Sequence, residues 1–279
     1  MPVSESSLVR RYSVKRLSHG NAERVVDIVA AEEPLEMRVE YWFKDTRLSQ
    51  SLAVAMRTPG HDRELAAGFL VSEGIVRTPR DLAGLHPLGP EPSNEVVAEL
   101  SKDVDFENWR TERSSLVNSS CGVCGKRNRE AVASQTRTVI QDDFEVDASL
   151  IEQLPALLGE RQAGFAQTGG LHAAALVNAT GSIECVFEDI GRHNALDKLI
   201  GHALLSGRIP LRECILFLSS RSSFELVQKT AMAGAPMLAT VGGPSSLAIE
   251  TARDCGITLL GFVREKRFNI YSGEWRINS

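Results

Sequence analysis

Two cysteines, Cys121 and Cys124, sit in the pentapeptide Cys-Gly-Val-Cys-Gly, inside the polar stretch Asn118–Arg127. Two thiols three positions apart can converge on one atom, a metal or a sulfur. The glycines remove side chains that would cover them. Lys126, Arg127 and Arg129 favour thiolate over thiol, and thiolate is the nucleophile and the metal ligand. The other three cysteines, Cys185, Cys214 and Cys255, stand singly in apolar surroundings. The chemistry of this chain is therefore expected to begin at Cys121 and Cys124.

Four readings of the pair compete. A structural zinc site needs four ligands, usually as two paired clusters. The sequence holds no second Cys-x-x-Cys and no His-x-x-His, so no metal site is assigned. A thioredoxin-like redox motif opens a helix after a strand of a βαβ unit, whereas this pair lies in a polar stretch ahead of the α/β half. Two buried thiols acting as small hydrophobes fit poorly beside Ser, Gly, Lys and Arg. Nucleophilic sulfur chemistry remains: one thiolate accepts a sulfur atom as a persulfide and its neighbour assists or resolves it.

A second set of residues suits an anion. Leu218 is followed by Ser219-Ser220-Arg221-Ser222-Ser223, Val241 by Gly242-Gly243-Pro244-Ser245-Ser246, and Val263 by Arg264-Glu265-Lys266-Arg267. Each follows an apolar strand, and ligands of open α/β sheets bind at the carboxyl ends of the strands. Hydroxyls, glycines, helix-start N–H groups and arginines are what a phosphate needs there. None of the three is a Walker A or G-x-G-x-x-G motif, and each alone is ordinary loop composition. Glu188-Asp189-Ile-Gly-Arg192-His193 packs charges just before a helix, either to orient a polar ligand or as a capping and ion-pair network. His172 reads as a core or strand-end histidine.

The elements that must position these residues follow from periodicity. Glu36–Thr46 and Ser51–Arg57 alternate as strands, with Val39, Tyr41 and Phe43 on one face. A helix opens at Gly60-His61-Asp62, Asn94–Leu100 is a strand, and 79–93, with its prolines and glycines, reads as loop. The polar region of about 101–130 reads as an exposed, mobile loop carrying the Cys pair. Beyond it come a helix at Ser149–Leu158, interrupted by Pro155, and paired strands His172–Val177 and Ile183–Glu188. An amphipathic helix over Asn194–Leu205, capped by Asn194, follows. Strands at Cys214–Leu218, Pro236–Val241 and Ile257–Val263 alternate with helices after a Ser222–Glu225 capping box and after Gly242-Gly243. Such alternation predicts an α/β fold with a largely parallel buried sheet. The domain boundary is placed near residue 140, giving a strand-rich part over 1–140 and an α/β domain over 141–279.

The 279 residues, 43% of them hydrophobic and 24% charged, support a sizeable core. A net charge of −5 with no basic run argues against a general nucleic-acid binder. No stretch reaches the length of a membrane span, so no membrane partner is expected. No signal-like run opens the chain, and a cytoplasmic location is the expectation.

Several segments together resemble the formate dehydrogenase accessory sulfurtransferases, the FdhD/NarQ family. They are Ala67–Gly74, Cys121–Gly125, Thr168–Ala174, Glu188–Lys198, Leu218–Lys229 and Gly261–Tyr271. The resemblance implies a protein that takes sulfur from a cysteine desulfurase as a persulfide. It hands that sulfur to the Mo-bis(molybdopterin guanine dinucleotide) cofactor for use by formate dehydrogenase. It implies Cys121 as the persulfide carrier and Cys124 as its partner. Phe262, Val263, Arg264, Glu265, Lys266 and Arg267 are implied to contact the cofactor, with a guanine nucleotide as an analogue. It also implies a homodimer and a C-terminal cytidine deaminase-like three-layer α/β/α domain beside a smaller strand-rich N-terminal region. Deaminase activity is not expected: His172 is followed by Ala173-Ala174, and no Pro-Cys-x-x-Cys occurs. Two alternatives remain open, a cofactor-binding chaperone without sulfur transfer and a thiol–disulfide oxidoreductase.

Overall fold

A computed structural model describes residues 8–89, 93–114 and 143–278. Cys121, Cys124 and the expected boundary near residue 140 lie outside these residues. The described chain begins with a hairpin, β1 (Val9–Ser18) and β2 (Asn21–Ala30), paired only with each other. Sequence periodicity gave no expectation for it. Strands β3 (Glu33–Phe43) and β4 (Thr46–Arg57) then form the long hairpin expected, followed by helix α1 (Asp62–Ser72). Val39 and Tyr41 share the buried face, while Phe43, at the strand end, is exposed.

Two expectations of loop are corrected. The stretch 79–93 contains β5 (Leu82–Pro87), because Pro79 stands in the turn before it and Pro87 at its end, where no ladder N–H is needed. After β6 (Glu95–Leu100), the polar stretch from 101 begins with helix α2 (Phe106–Ser114). It is anchored by buried Phe106, which packs on Tyr41, and by Trp109, whose indole N–H donates to the Glu73 carbonyl at 2.8 Å. The sheet order is β4-β3-β6-β5, with β3 and β6 parallel.

A short strand, β7 (Val146–Asp147), leads to α3 (Ala148–Gly159), which runs through Pro155, and to α4 (Ala163–Thr168). Next come β8 (His172–Asn178), β9 (Ile183–Asp189) and α5 (Arg192–Leu205). The rest is β10 (Cys214–Leu218), α6 (Phe224–Met232), β11 (Met237–Thr240), α7 (Ser246–Asp254), β12 (Thr258–Arg264), β13 (Arg267–Ser272) and β14 (Ile277–Asn278).

The second sheet has the order β13-β12-β11-β10-β8-β9. Only the pairs at its centre, β10-β11-β12, are parallel. β8–β9 and β12–β13 are antiparallel hairpins, whose tight turns cannot make a parallel crossover, and β8 is also antiparallel to β10, which the chain reaches through β9 and α5. Alternate residues of these strands face opposite layers. Ala173, Ala175, Val177, Ile215, Phe217 and Leu260 meet Ile151, Leu154 and Leu158 of α3. Leu176, Leu216, Leu238 and Leu259 meet α5, α6 and α7. This is the three-layer α/β/α fold of the cytidine deaminase-like class, beside a strand-rich N-terminal part.

The α1–α5 helix pair joins the two parts. One buried cluster runs from Leu35, Val39 and Leu65 through Leu196 and Leu199 to Leu216 and Leu259. The crossing is close because Gly68 faces the Asp197 carbonyl and Gly201 faces the Glu64 carbonyl; a Cβ at either would overlap that backbone. In Gly201→Ala the better helix propensity of Ala is worth about 1 kcal/mol, while overpacking costs about 3 kcal/mol. The variant should lose about 2 kcal/mol by urea unfolding, and an unmoved midpoint would contradict this account of the crossing.

Candidate functional site

The carboxyl ends of β10, β11 and β12 lie side by side, and the loops after them are fastened to one another through backbone. The Val241 N–H donates to Leu218 O at 3.0 Å, Gly242 N–H to Ser220 O at 2.9 Å and Ser245 N–H to Ser222 O at 3.0 Å. Phe262 N–H donates to Gly242 O at 3.1 Å. The Thr240 hydroxyl, fully buried, lies 3.0 Å from Gly242 O and 3.1 Å from Leu260 O. The three anion-suited loops expected at one sheet edge do come together there.

Each of the six residues Phe262–Arg267 has a defined place in this edge. Phe262 adopts φ +52°, a left-handed backbone, where the β12–β13 register shifts between Gly261 and Arg264. That turn exposes its ring, 46% accessible, directly over Gly243, where a Cβ would overlap it. Val263 is buried in the core beneath. Arg264 bonds Val241 O at 2.7 Å and Val263 O at 2.8 Å, and it pairs across the turn with Arg267. Glu265 and Lys266 form the exposed tip. Arg221 is exposed on the neighbouring loop and packs against Gly242. The edge therefore presents Arg221, Arg264, Lys266 and Arg267 beside one flat aromatic ring, which suits a ligand with phosphates and a planar base.

Two hydroxyls expected to join them are turned inward. Ser219 Oγ accepts the Ala173 N–H at 2.9 Å, and the Ser220 hydroxyl donates to Arg221 O at 3.0 Å. The expected capping box at Ser222–Glu225 is also absent. The cap of α6 is Ser223, and Ser222 instead meets Thr240 Oγ1 at 3.3 Å inside the edge.

The Glu188–His193 cluster resolves into a structural network for its carboxylates. Glu188 accepts the N–H groups of Gly164 and Phe165 at 2.8 Å each, fixing the start of α4. Asp189, fully buried, pairs with Lys198 Nζ at 2.7 Å. It also accepts from Thr58 N at 3.1 Å, Gly191 N at 2.8 Å and Asn194 Nδ2 at 3.0 Å. Lys198 spends its other protons on Thr58 O at 2.9 Å and Glu188 O at 3.3 Å. Burial lowers the Lys198 pKa, and Asp189 opposes that. Asn194 is inside the first turn of α5 rather than its cap, which is Gly191. Lys198 was missed because it sits in the apolar stripe Leu196–Leu204; a charged pair, Asp197-Lys198, inside such a stripe is the available signal.

His172 and His193 flank the same edge. His193 Nε2 lies 3.4 Å from Ser223 Oγ, and His193 lines a cavity of about 200 Å3 with Ser72, Glu73, Glu225, Gln228 and Lys229.

The profile of the FdhD/NarQ family matches residues 30–278. The chain belongs to that family. It is 42% identical over 278 residues to the sulfur carrier protein FdhD of Streptomyces avermitilis, covering 97% of this chain and 96% of that one. To the FdhD of Corynebacterium efficiens it is 46% identical, with 89% and 90% covered, and to that of Saccharolobus solfataricus 38%, with 96% and 98% covered. A solved structure described as a candidate formate dehydrogenase accessory protein, from Desulfotalea psychrophila, superposes with a TM-score of 0.73 at 20% identity. It spans 97% of this chain and 100% of its own, and it shows that the FdhD/NarQ chain shares that fold.

Burial first, then the nearby Arg192 charge, holds both histidines below their usual 6.5. Below about 6.5 the unfolded chain binds protons that the folded chain refuses, so stability falls as pH drops through that range. Glu64 is held below 4.5 chiefly by its hydrogen bond with His61. Burial opposes ionisation of Glu225, but the Ser223 hydroxyl and the cations around it win and hold it below 4.5 too. These carboxylates therefore add loss only below 4.5. Replacing His172 and His193 with Gln should flatten the melting temperature between about pH 6.5 and about pH 5, and leave the acid limb intact. An unchanged slope in that window would contradict the assignment.

Proposed function

We propose that this chain is a sulfur carrier for the maturation of formate dehydrogenase. The carrying observation is near-full-length identity of 38–46% to chains named sulfur carrier protein FdhD. The Cys121-Gly-Val-Cys124 pair supplies residues fit for the task, and the cationic edge supports a nucleotide-bearing acceptor.

In this reading a cysteine desulfurase presents a persulfide. The Cys121 thiolate attacks its terminal sulfur, the donor's sulfur–sulfur bond breaks, and the donor cysteine leaves as thiolate. Cys121 then carries the persulfide. Attack of the Cys124 thiolate on the Cys121 sulfur forms a disulfide and expels the terminal sulfur as hydrosulfide. The dithiol is oxidised by two electrons as the sulfur is reduced, and an external dithiol resets the pair. The acceptor is the Mo-bis(molybdopterin guanine dinucleotide) cofactor, whose pyrophosphates suit Arg221, Arg264, Lys266 and Arg267 and whose guanine suits the Phe262 ring. Val263 and Glu265 shape the turn that holds these groups. The protein works in the cytoplasm as a homodimer.

Cys121→Ala should abolish maturation of formate dehydrogenase while folding and guanosine diphosphate binding stay intact; full maturation by that variant would end the assignment. Charge-assisted hydrogen bonds contribute about 1.5–3 kcal/mol each. Arg264→Ala with Arg267→Ala should therefore weaken guanosine diphosphate binding more than about tenfold by calorimetry. Unchanged affinity would remove this edge from the proposal.

A further inference from the structure

Among the described residues, the β1–β2 ribbon touches its own chain near its root, where β2 meets α4 and Arg10 pairs with Glu33, and is otherwise bare. Of residues 10–27 only Val14 and Val25, which face each other across the ladder, are even half-buried. Tyr12 is 55% exposed, Leu17 71% and Val26 68%. A lone two-stranded ribbon is marginal in water, and this one carries apolar side chains on both faces. Residues directly opposite in the ladder share a face, so one face holds Arg11, Lys15, Leu17, Arg24, Val26 and Ile28. That face has three cations and no carboxylate. The other balances Arg10 and Arg16 against Glu23 and Asp27.

A complementary surface lies at the ribbon's root. On the outer face of the first sheet, Val54 stands opposite Glu36 and Met56 opposite Pro34. Both are exposed, at 64% and 51%. Glu36, Glu40, Glu95 and Glu99 line the same face against Arg38 and Arg47. β4 is also the edge strand of that sheet, and its length of 12 residues matches the 10-residue strands of the ribbon. The root is fixed beside this patch by the Arg10–Glu33 pair at 2.5 Å and by Ala31 N–H on Leu8 O at 2.9 Å.

We propose that the Val9–Ala30 ribbon is an exchange arm: its basic face lies on the Glu36–Val54–Met56 face of a second copy of this chain. Because root and patch adjoin, two copies related by a two-fold axis can each offer an arm and a patch, and the contact closes on itself. The basic face offers half the residues of two ten-residue strands, and with the patch each copy approaches the roughly 20–30 residues a side of a stable interface. The arm names a surface for the homodimer of the proposed function; it rests on that part of the reading and not on sulfur transfer.

Sedimentation of the full chain at micromolar concentration tests it. The unaltered protein should be a dimer. Leu17→Asp with Val26→Asp should raise the dimer dissociation constant at least about a hundredfold, with circular dichroism unchanged. Independently, Arg11→Glu, Lys15→Glu and Arg24→Glu together should give monomers, and adding Glu36→Lys and Glu40→Lys should restore the dimer. A monomeric unaltered protein overturns both the dimer and the arm, and points the ribbon at a different macromolecule. A dimer indifferent to the arm and charge variants overturns the arm alone.

Discussion

The buried ion pair of Asp189 and Lys198 is the constraint on which the rest of the arrangement depends. Removing two charges from water is costly, and a buried pair survives only where every remaining donor and acceptor is met. Here the ammonium meets a carboxylate and two carbonyls, and the carboxylate meets three further N–H donors. Those partners belong to different elements. Thr58 follows β4, Asp189 ends β9, and Gly191 and Asn194 begin α5. One pair thus fixes where the first sheet ends, where α5 starts and how α5 lies on α1.

With α5 fixed, the sheet edge inherits its geometry. The Asp197 carboxylate, one residue from Lys198, holds Lys229 at 2.7 Å and the Ser72 hydroxyl at 2.6 Å, so α6 is tied to α1 and α5 by a second polar contact. The start of α6 places Ser222 and Arg221, and Ser222 in turn receives the loop after β11. Backbone hydrogen bonds do the fastening there. Among the described residues, that leaves the side chains of Arg221, Lys266 and Arg267 and the exposed Phe262 ring without a hydrogen-bonding duty in the fold, which is the property a binding edge requires.

Much of this was legible in the sequence, for identifiable reasons. The strands and helices after residue 170 follow simple apolar periodicity, and three polar loops after three apolar strands had to meet at one edge. What was not legible depends on contacts between distant segments. Lys198 looks like an interruption of a core stripe until Asp189 and Thr58 are placed around it. The left-handed Phe262 follows from a register shift that no local pattern encodes. The inward turn of Ser219 reflects pairing with β8, and that of Ser220 a bond to the Arg221 carbonyl of its own loop. The ribbon at Val9–Ala30 escaped because alternation with both faces half-apolar gives no single buried face to read.

Family membership and the cationic edge bear on the acceptor side of sulfur transfer, whereas the donor side rests on Cys121. The most direct measurement is the intact mass of the reduced protein after incubation with a cysteine desulfurase and cysteine, alongside Cys121→Ala. The account predicts one added sulfur atom on the unaltered chain, lost on treatment with a thiol reductant and absent from the variant. A pure, reduced protein that gains no sulfur, or a Cys121→Ala variant that gains as much, would contradict it.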